Sequence, residues 1–231
     1  MVRPSSTSGN DPSPVYTKII EAIVTQKLEP SQKVSESVLT EMFGISRTTA
    51  RNIMEQLTAH QFLVSVSPRV TRVAPLTLLD VKQNFAIRKM LKPSILTMGA
   101  PYVDYEEYMK LHKAINHDSS ITDDETALRV LMANKEFNLY VVKKIDYPLL
   151  QNWMNQLEHT TMRIYWLYVK IMGTLPFSLS RQKELIEVMR RDLASEVSKR
   201  EIDILSLCEE RLLNAIFSSG QIDKQDLCIA R

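Results

Sequence analysis

The feature that most constrains the fold of this 231-residue chain is a pair of short amphipathic helices on either side of one glycine. Gly44 suits the left-handed turn that ends the first helix. Ser46 is a favourable N-cap for the second helix, which is predicted over 47–60. Two β-rich runs, at 62–66 and 70–73, follow and predict a hairpin. Together these elements predict a winged helix-turn-helix.

The rest of the chain has the periodicity of helices. One amphipathic helix is predicted before the pair, at 15–27. After residue 79 the apolar residues follow helical spacing, without strand signals. The longer helices are predicted at 80–99, 104–117, 122–145, 148–173, 180–191 and 193–217. The predicted fold class is therefore mainly α, with an amino-terminal winged helix-turn-helix and a carboxy-terminal all-helical bundle of six or seven helices.

These elements divide the chain into five parts. The parts are a disordered polar arm at 1–14, the winged helix-turn-helix at 15–75, a linker at 76–79, a helical domain at 80–217 and a tail at 218–231. No apolar run approaches the ~18 residues that a membrane span needs, and the amino terminus lacks the apolar core of a signal peptide. We therefore expect a cytoplasmic protein without membrane contact.

Composition argues against several classes of site. The chain has only 5 glycines and no glycine-rich phosphate loop. Its 2 cysteines form no CxxC pair, which argues against a thiolate zinc site and a disulfide framework. HExxH and GxSxG motifs are missing, so we expect a protein that is not an enzyme.

Two arginines four residues apart identify a candidate DNA-binding face. Arg47 and Arg51 share the side of their helix that is opposite its apolar residues. Arginine can bind guanine O6 and N7 together, and a helix N-terminus favours a phosphate. Thr48 and Thr49 can reach phosphates or a thymine methyl group, and Arg69 adds charge on the wing. The alternative is an ordinary solvated helix face.

Residues 39–63 resemble a known family of regulators. LTEMFGI at 39–45, followed by SRTTARNIMEQLTAHQFL at 46–63, resembles the GntR superfamily of bacterial transcription regulators, and in particular its FadR-like branch. The resemblance implies that Arg47 and Arg51 contact base edges. It also implies that Ser46, Thr48 and Thr49 anchor the DNA backbone.

The chain departs from this family in two turns. The family usually has Pro-Gly after the first helix, where this chain has Pro30 and Ser31. The family usually has a glycine at the wing tip, where this chain has Pro68, Arg69 and Val70. Valine does not easily adopt the positive φ that a wing-tip glycine allows, so the turn of this wing differs from that of the family. The resemblance therefore does not decide whether Arg69 contacts a groove of the DNA.

The second half resembles the FCD effector domain of the same branch. The segments that carry this resemblance are FAIRKMLKPSILTMGAP at 85–101 and ANKEFNLYV at 133–141. In metal-binding members, the ligands are one Asp and three His. The corresponding positions here are Asn134, Asn138, about Gln182, and Glu201–Asp203. Neutral carboxamides are poor metal ligands, so we expect neither a metal nor another cofactor.

Four polar residues in this domain are candidates for effector binding. Arg88 lies in an apolar helix and needs an acidic partner, either in the protein or on a ligand. Asn134 and Asn138 share a helix face, and Arg163 is predicted to line a cavity between helices. The alternatives are a structural ion pair for Arg88 and satisfied buried amides for the asparagines.

These observations predict a homodimeric transcription regulator that binds an inverted repeat in double-stranded DNA. Its helical domain would bind an effector of acidic or acyl type and control DNA affinity. Two alternatives stay open: a helical domain that only dimerises, and a helical scaffold that uses the winged helix for protein contacts.

Overall fold

The computed structural model describes residues 14–115, 120–220 and 226–229. Most of the predicted arm and part of the predicted tail therefore lie outside the described residues. The amino-terminal elements are α1 (Pro14–Val24), β1 (Lys33–Val34), α2 (Glu36–Phe43), α3 (Arg47–Ala59), β2 (Leu63–Ser67) and β3 (Val70–Val73). The helical elements that follow are α4 (Leu78–Gly99), a 3-10 turn (Ala100–Tyr102), α5 (Tyr105–Ile115), α6 (Asp124–Ile145), α7 (Pro148–Met172), α8 (Leu179–Arg190) and α9 (Ala194–Ser218).

The amino-terminal elements form the predicted winged helix-turn-helix. The three helices enclose a core that includes Ile19, Leu39 and Leu57, all of which are fully buried. The strands form an antiparallel sheet in the order β1-β3-β2. Strand β1 was not predicted, because its two residues, Lys33 and Val34, are too few to show a strand period.

The two turns that depart from the family pattern are closed in different ways. Ser31 takes the position of the missing glycine and adopts a φ of 60°. A left-handed backbone costs a non-glycine residue roughly 1–2 kcal/mol. Two hydrogen bonds offset part of this cost: Ser31 N donates to Val73 O (3.1 Å), and Arg72 Nη1 donates to Ser31 O (2.7 Å). The wing tip needs no such conformation, because Val70 has a negative φ and begins β3.

The helical region contains six α-helices among the described residues, as predicted. Two of its predicted starts are misplaced. Thr77 caps α4 and forms a capping box with Asp80, so α4 begins at Leu78, before the predicted start at 80. Asp123 caps α6, which begins at Asp124, after the predicted start at 122. In the described parts of the chain, no helix is both long and apolar enough to cross a membrane.

Buried hydrogen bonds join the connector between the two regions to the bundle and to the carboxy-terminal segment. Arg163 in α7 donates to Ala74 O (2.7 Å) and to Pro75 O (3.2 Å). Leu227 is buried, and its amide donates to Leu76 O (2.7 Å). The carboxy-terminal segment 226–229 therefore returns to the connector.

Candidate DNA-binding surface and polar centre of the bundle

The sequence of α3 separates a buried face from an exposed one. Ala50, Ile53 and Leu57 are buried against the amino-terminal core. Ser46 has extended backbone geometry, and its hydroxyl accepts a hydrogen bond from Thr49 N (3.1 Å), so the predicted N-cap is confirmed. This cap fixes the helix N-terminus on the protein surface, where its first turn is accessible to a partner.

The five candidate residues of α3 and its cap all lie at this exposed end of the helix. The exposed side chains are those of Ser46, Arg47, Thr48, Thr49 and Arg51. The hydroxyls of Ser46 and Thr49 contact each other at 2.8 Å, so both already take part in the cap. Arg69 is also exposed, but it lies in the wing turn between β2 and β3.

Arg51 has a partner that the sequence did not reveal. Its Nε lies 2.7 Å from Glu36 Oε1, at the start of α2, while 65% of the Arg51 side chain stays exposed. The hydrogen bond from Arg51 lowers the pKa of Glu36. Because this bond uses Nε, the two terminal nitrogens of the guanidinium stay available for a bidentate contact.

In the helical bundle, Arg88 has an acidic partner inside the protein. Its side chain is only 2% exposed, and its Nε lies 3.9 Å from Glu158 Oε1 in α7. Its Nη1 donates to the hydroxyl of Tyr165 (3.0 Å). Burial lowers the pKa of Arg88, but Tyr165 and Glu158 more than offset this effect, and the net shift is upward. The ion-pair alternative for Arg88 is therefore present in the structure.

A second buried cation, Lys92, lies one turn further along α4. Its Nζ lies 2.7 Å from Glu201 Oε1 in α9 and donates to Asn138 Oδ1 in α6 (3.1 Å). The other end of the Asn138 amide donates to Glu158 Oε2 (3.0 Å). Asn138 thus connects the ion pair of Lys92 to that of Arg88.

Lys92, Asn138 and Glu201 line a cavity of about 20 Å³ at the centre of the bundle. Of the predicted effector residues, Arg88, Asn134 and Asn138 line it, and Arg163 does not. Arg163 lies at the connector, where burial lowers its pKa to about 10. Two amide oxygens at the centre, Asn134 Oδ1 and Gln182 Oε1, have no hydrogen-bond partner.

A larger crevice of about 570 Å³ lies between α1 and the helices α6 and α7. Lys135 Nζ contacts His159 Nε2 there at 2.9 Å, and the His159 ring packs on Phe62 with a centroid distance of 4.5 Å. Burial, with a smaller contribution from Lys135, lowers the pKa of His159 to about 3. His159 thus stays neutral where the bundle contacts the amino-terminal core.

Comparison with known proteins agrees with this geometry. Residues 13–73 match the model of the bacterial regulatory proteins of the gntR family. The match covers the amino-terminal winged helix-turn-helix. Over 186 residues, which cover 80% of both proteins, the chain is 23% identical to the HTH-type transcriptional regulator YdhC of Bacillus subtilis.

Two solved structures share the fold beyond the winged helix-turn-helix. One is McbR/YncC of E. coli, with a TM-score of 0.68 and 15% identity, over 87% of this chain and 95% of that one. The other is a GntR transcriptional regulator from Rhodococcus sp. RHA1, with a TM-score of 0.67 and 15% identity, over 87% and 96%. At this identity they show that the arrangement of a winged helix-turn-helix followed by a helical bundle is a shared architecture.

Three residues of these two sites were not among the predicted site residues. Glu36 begins α2, where an acidic residue fits the helix dipole and gives no sign of an arginine partner. Lys92 follows Arg88 by four residues in an apolar helix, and that spacing was a usable signal. Glu158 is fully buried among the apolar residues of α7, and its charge was the corresponding signal there.

Proposed function

We propose that this protein is a homodimeric transcription regulator that binds an inverted-repeat operator through α3 of its GntR domain. The observation that carries the proposal is the pair of exposed arginines, Arg47 and Arg51, one turn apart at the N-terminus of that helix. The apolar face of α3 is already buried, so a partner is available only to the polar face. The domain match and the regulator relatives support DNA as that partner.

The candidate residues have separable roles in this proposal. Arg47 and Arg51 donate to guanine O6 and N7 in the major groove. Thr48, with the capped end formed by Ser46 and Thr49, lies against phosphate oxygens. Arg69 adds a backbone contact from the wing. The two arginines supply the base preference, and the phosphate contacts fix the register of the helix on the DNA.

Dimerisation follows from the size of one recognition helix. One helix-turn-helix covers few base pairs, and two-fold partners commonly bind half-sites about one helical turn apart. We propose that the dimer contact lies in the helical domain and that this domain is of the FCD type. We also propose that the protein is cytoplasmic.

The test is selection of duplexes from a random pool by the full-length protein, followed by light scattering of the complex. We expect an enriched inverted repeat, two chains per duplex, and an affinity that falls steeply with salt. A protein that enriches no sequence and binds every duplex alike would overturn the proposal.

We further propose that the helical domain controls DNA affinity in response to an effector of acidic or acyl type. Arg88, Asn134 and Asn138 surround one buried polar cavity, which supports this role. Arg163 is not one of the proposed effector contacts, because it donates a hydrogen bond to the connector. An acidic group that binds Arg88 would join Glu158, which lies 3.9 Å from Nε, and Tyr165, which accepts from Nη1.

A second candidate is a helical domain that only dimerises. It is favoured by the small volume of the central cavity and by the internal partners of Arg88 and Lys92. A thermal-shift screen of carboxylic acids and acyl compounds, repeated with operator DNA, separates the two. A compound that raises the melting temperature and changes DNA affinity supports effector control. If no compound does either, the dimerisation role is supported.

A further inference from the structure

We infer that the ammonium of Lys92 is the permanent cation of the bundle centre and that it closes this centre to metal ions. The four positions that resemble metal-ligand positions, Asn134, Asn138, Gln182 and Glu201, line the same cavity as Lys92. They come from three different helices, and Lys92 comes from a fourth. The convergence is therefore produced by the bundle, around a cation that the chain itself supplies.

The side chains present do not fit a divalent metal. Among the described residues, no group of three or more His, Cys, Asp and Glu is placed to hold one. Three of the four convergent side chains are neutral amides. The fourth, Glu201, lies 2.7 Å from Lys92 Nζ, so its charge is already used. A metal ion would have to displace a buried ammonium to reach its only carboxylate ligand.

The ammonium accounts for several of the polar groups at the centre. Of its three N–H groups, Asn138 Oδ1 accepts one, while Glu201 Oε1 is ion-paired with the ammonium at 2.7 Å without a hydrogen bond. The cavity of about 20 Å³ has room for one water molecule, which needs roughly 10–15 Å³. Asn134 Oδ1 and Gln182 Oε1 line this cavity without a hydrogen-bond partner, and a water there would donate to both and accept a further N–H of Lys92. All four convergent side chains then bind the ammonium, directly or through one water.

The charges of the centre also balance. The two cations, Arg88 and Lys92, face the two carboxylates, Glu158 and Glu201, and all four side chains are at least nine-tenths buried. A site with no net charge has no electrostatic demand for a further cation. Removing one member leaves its partner charged and buried, which is far more costly than removing an exposed ion pair.

The experiment uses the full-length protein, purified without chelator. We expect elemental analysis to find no stoichiometric zinc, nickel or manganese. We also expect EDTA and added metal to leave the melting temperature unchanged. Lys92→Met should lower that temperature by on the order of 10 °C, and Lys92→Met with Glu201→Gln should recover part of the loss.

The matched control is Lys89→Met on the same helix. Lys89 also has an acidic partner, Glu209, at 2.6 Å, but their side chains are 27% and 23% exposed. We expect this control to lower the melting temperature by less than about 4 °C.

If Lys92→Met does not fold, Glu201→Gln alone supplies the stability comparison with the control. Stoichiometric metal that stabilises the unmodified protein would overturn the inference. The inference would also be overturned if the Lys92 and Glu201 variants melted at the same temperature as the Lys89→Met control.

Discussion

Helices α3 and α4 each carry a pair of cationic side chains four residues apart, and the two pairs have opposite surroundings. Arg47 and Arg51 in α3 are exposed. Arg88 and Lys92 in α4 are buried and ion-paired inside the bundle. The spacing is the same, so the surroundings decide which pair is available to a partner. Helix α4 packs against α6, α7 and α9, whereas α3 buries only its apolar face.

The comparison teaches that a cation pair indicates a binding surface only where its donors are free. The terminal nitrogens of Arg51 stay available because Glu36 takes only Nε. At the bundle centre, the acidic partners of Arg88 and Lys92 come from the chain itself. We therefore assign recognition of a partner to the cations of α3 and stabilisation of the fold to the buried cations of α4.

The largest effect is expected from breaking the buried pair of Arg88. Glu158→Ala leaves the guanidinium charged and fully enclosed, and it should lower the free energy of unfolding by about 3–5 kcal/mol. Urea unfolding followed by circular dichroism measures this change. Glu210→Ala on the exposed side of α9 is the control, with an expected change within about 0.5 kcal/mol. Equal midpoints for the two variants would contradict the assigned structural role.

A smaller effect is expected at the connector. Arg163→Met removes the donor for Ala74 O and Pro75 O, and it should cost about 1–3 kcal/mol. Because the contact joins the two regions, cleavage of the connector by a protease should also become faster. Arg129→Met on the exposed face of α6 is the control. Unchanged cleavage and stability would show that Arg163 does not hold the connector.

Acid should weaken the contact between the two regions through His159. The folded protein lowers the pKa of this imidazole to about 3, below the unfolded value of 6.5, so the unfolded chain binds the proton first. Stability is therefore complete above about pH 6.5 and falls as the pH approaches 3. The expected loss between pH 7 and pH 5 is about 2 kcal/mol. His159→Gln should flatten this pH profile of the urea midpoint, and an equally steep profile would argue against the assignment.

The smallest effect is expected at Glu36, which holds Arg51 by its Nε. Glu36→Gln keeps a hydrogen-bond acceptor but removes the charge, and it should change operator affinity by less than about fivefold. The direction is a loss, because the arginine becomes less ordered before it meets DNA. Fluorescence anisotropy with a selected duplex measures the change. In the Arg51→Ala variant, Glu36→Gln should not change operator affinity any further. An equal change there would show that Glu36 does not act through Arg51.

Local patterns predicted the elements well because each depends on neighbours in sequence. Helix periodicity located every α-helix among the described residues, and the Ser46 cap was correct. Strand β1 was missed because its partner, β3, lies about 40 residues away, at Thr71 and Arg72. The start of α4 was predicted at 80 and lies at Leu78, because both Thr77 and Asp80 fit an N-cap position.

The candidate sites were predictable to different degrees for a related reason. The exposed face of α3 follows from the helix period alone. The partners at the bundle centre, such as Lys92 with Glu201, are 109 positions apart and come together only through tertiary packing. A sequence pattern could show that Arg88 needed an acid, but it could not show that Glu158 was that acid. Arg163 was predicted to line a cavity between helices, and the fold places it at the connector, where it lines a crevice of about 540 Å³.

The central claim is that Arg47 and Arg51 carry operator recognition, and competition binding tests it most directly. Arg47→Ala, Arg51→Ala and the control Arg129→Ala are titrated against the selected duplex and against duplexes with changed guanines, at two salt concentrations. We expect each α3 variant to lose on the order of tenfold to a hundredfold in affinity and to discriminate less between duplexes, while the control binds like the unmodified protein. If both α3 variants kept the affinity and the base preference of the unmodified protein, recognition would lie elsewhere and the account would be wrong.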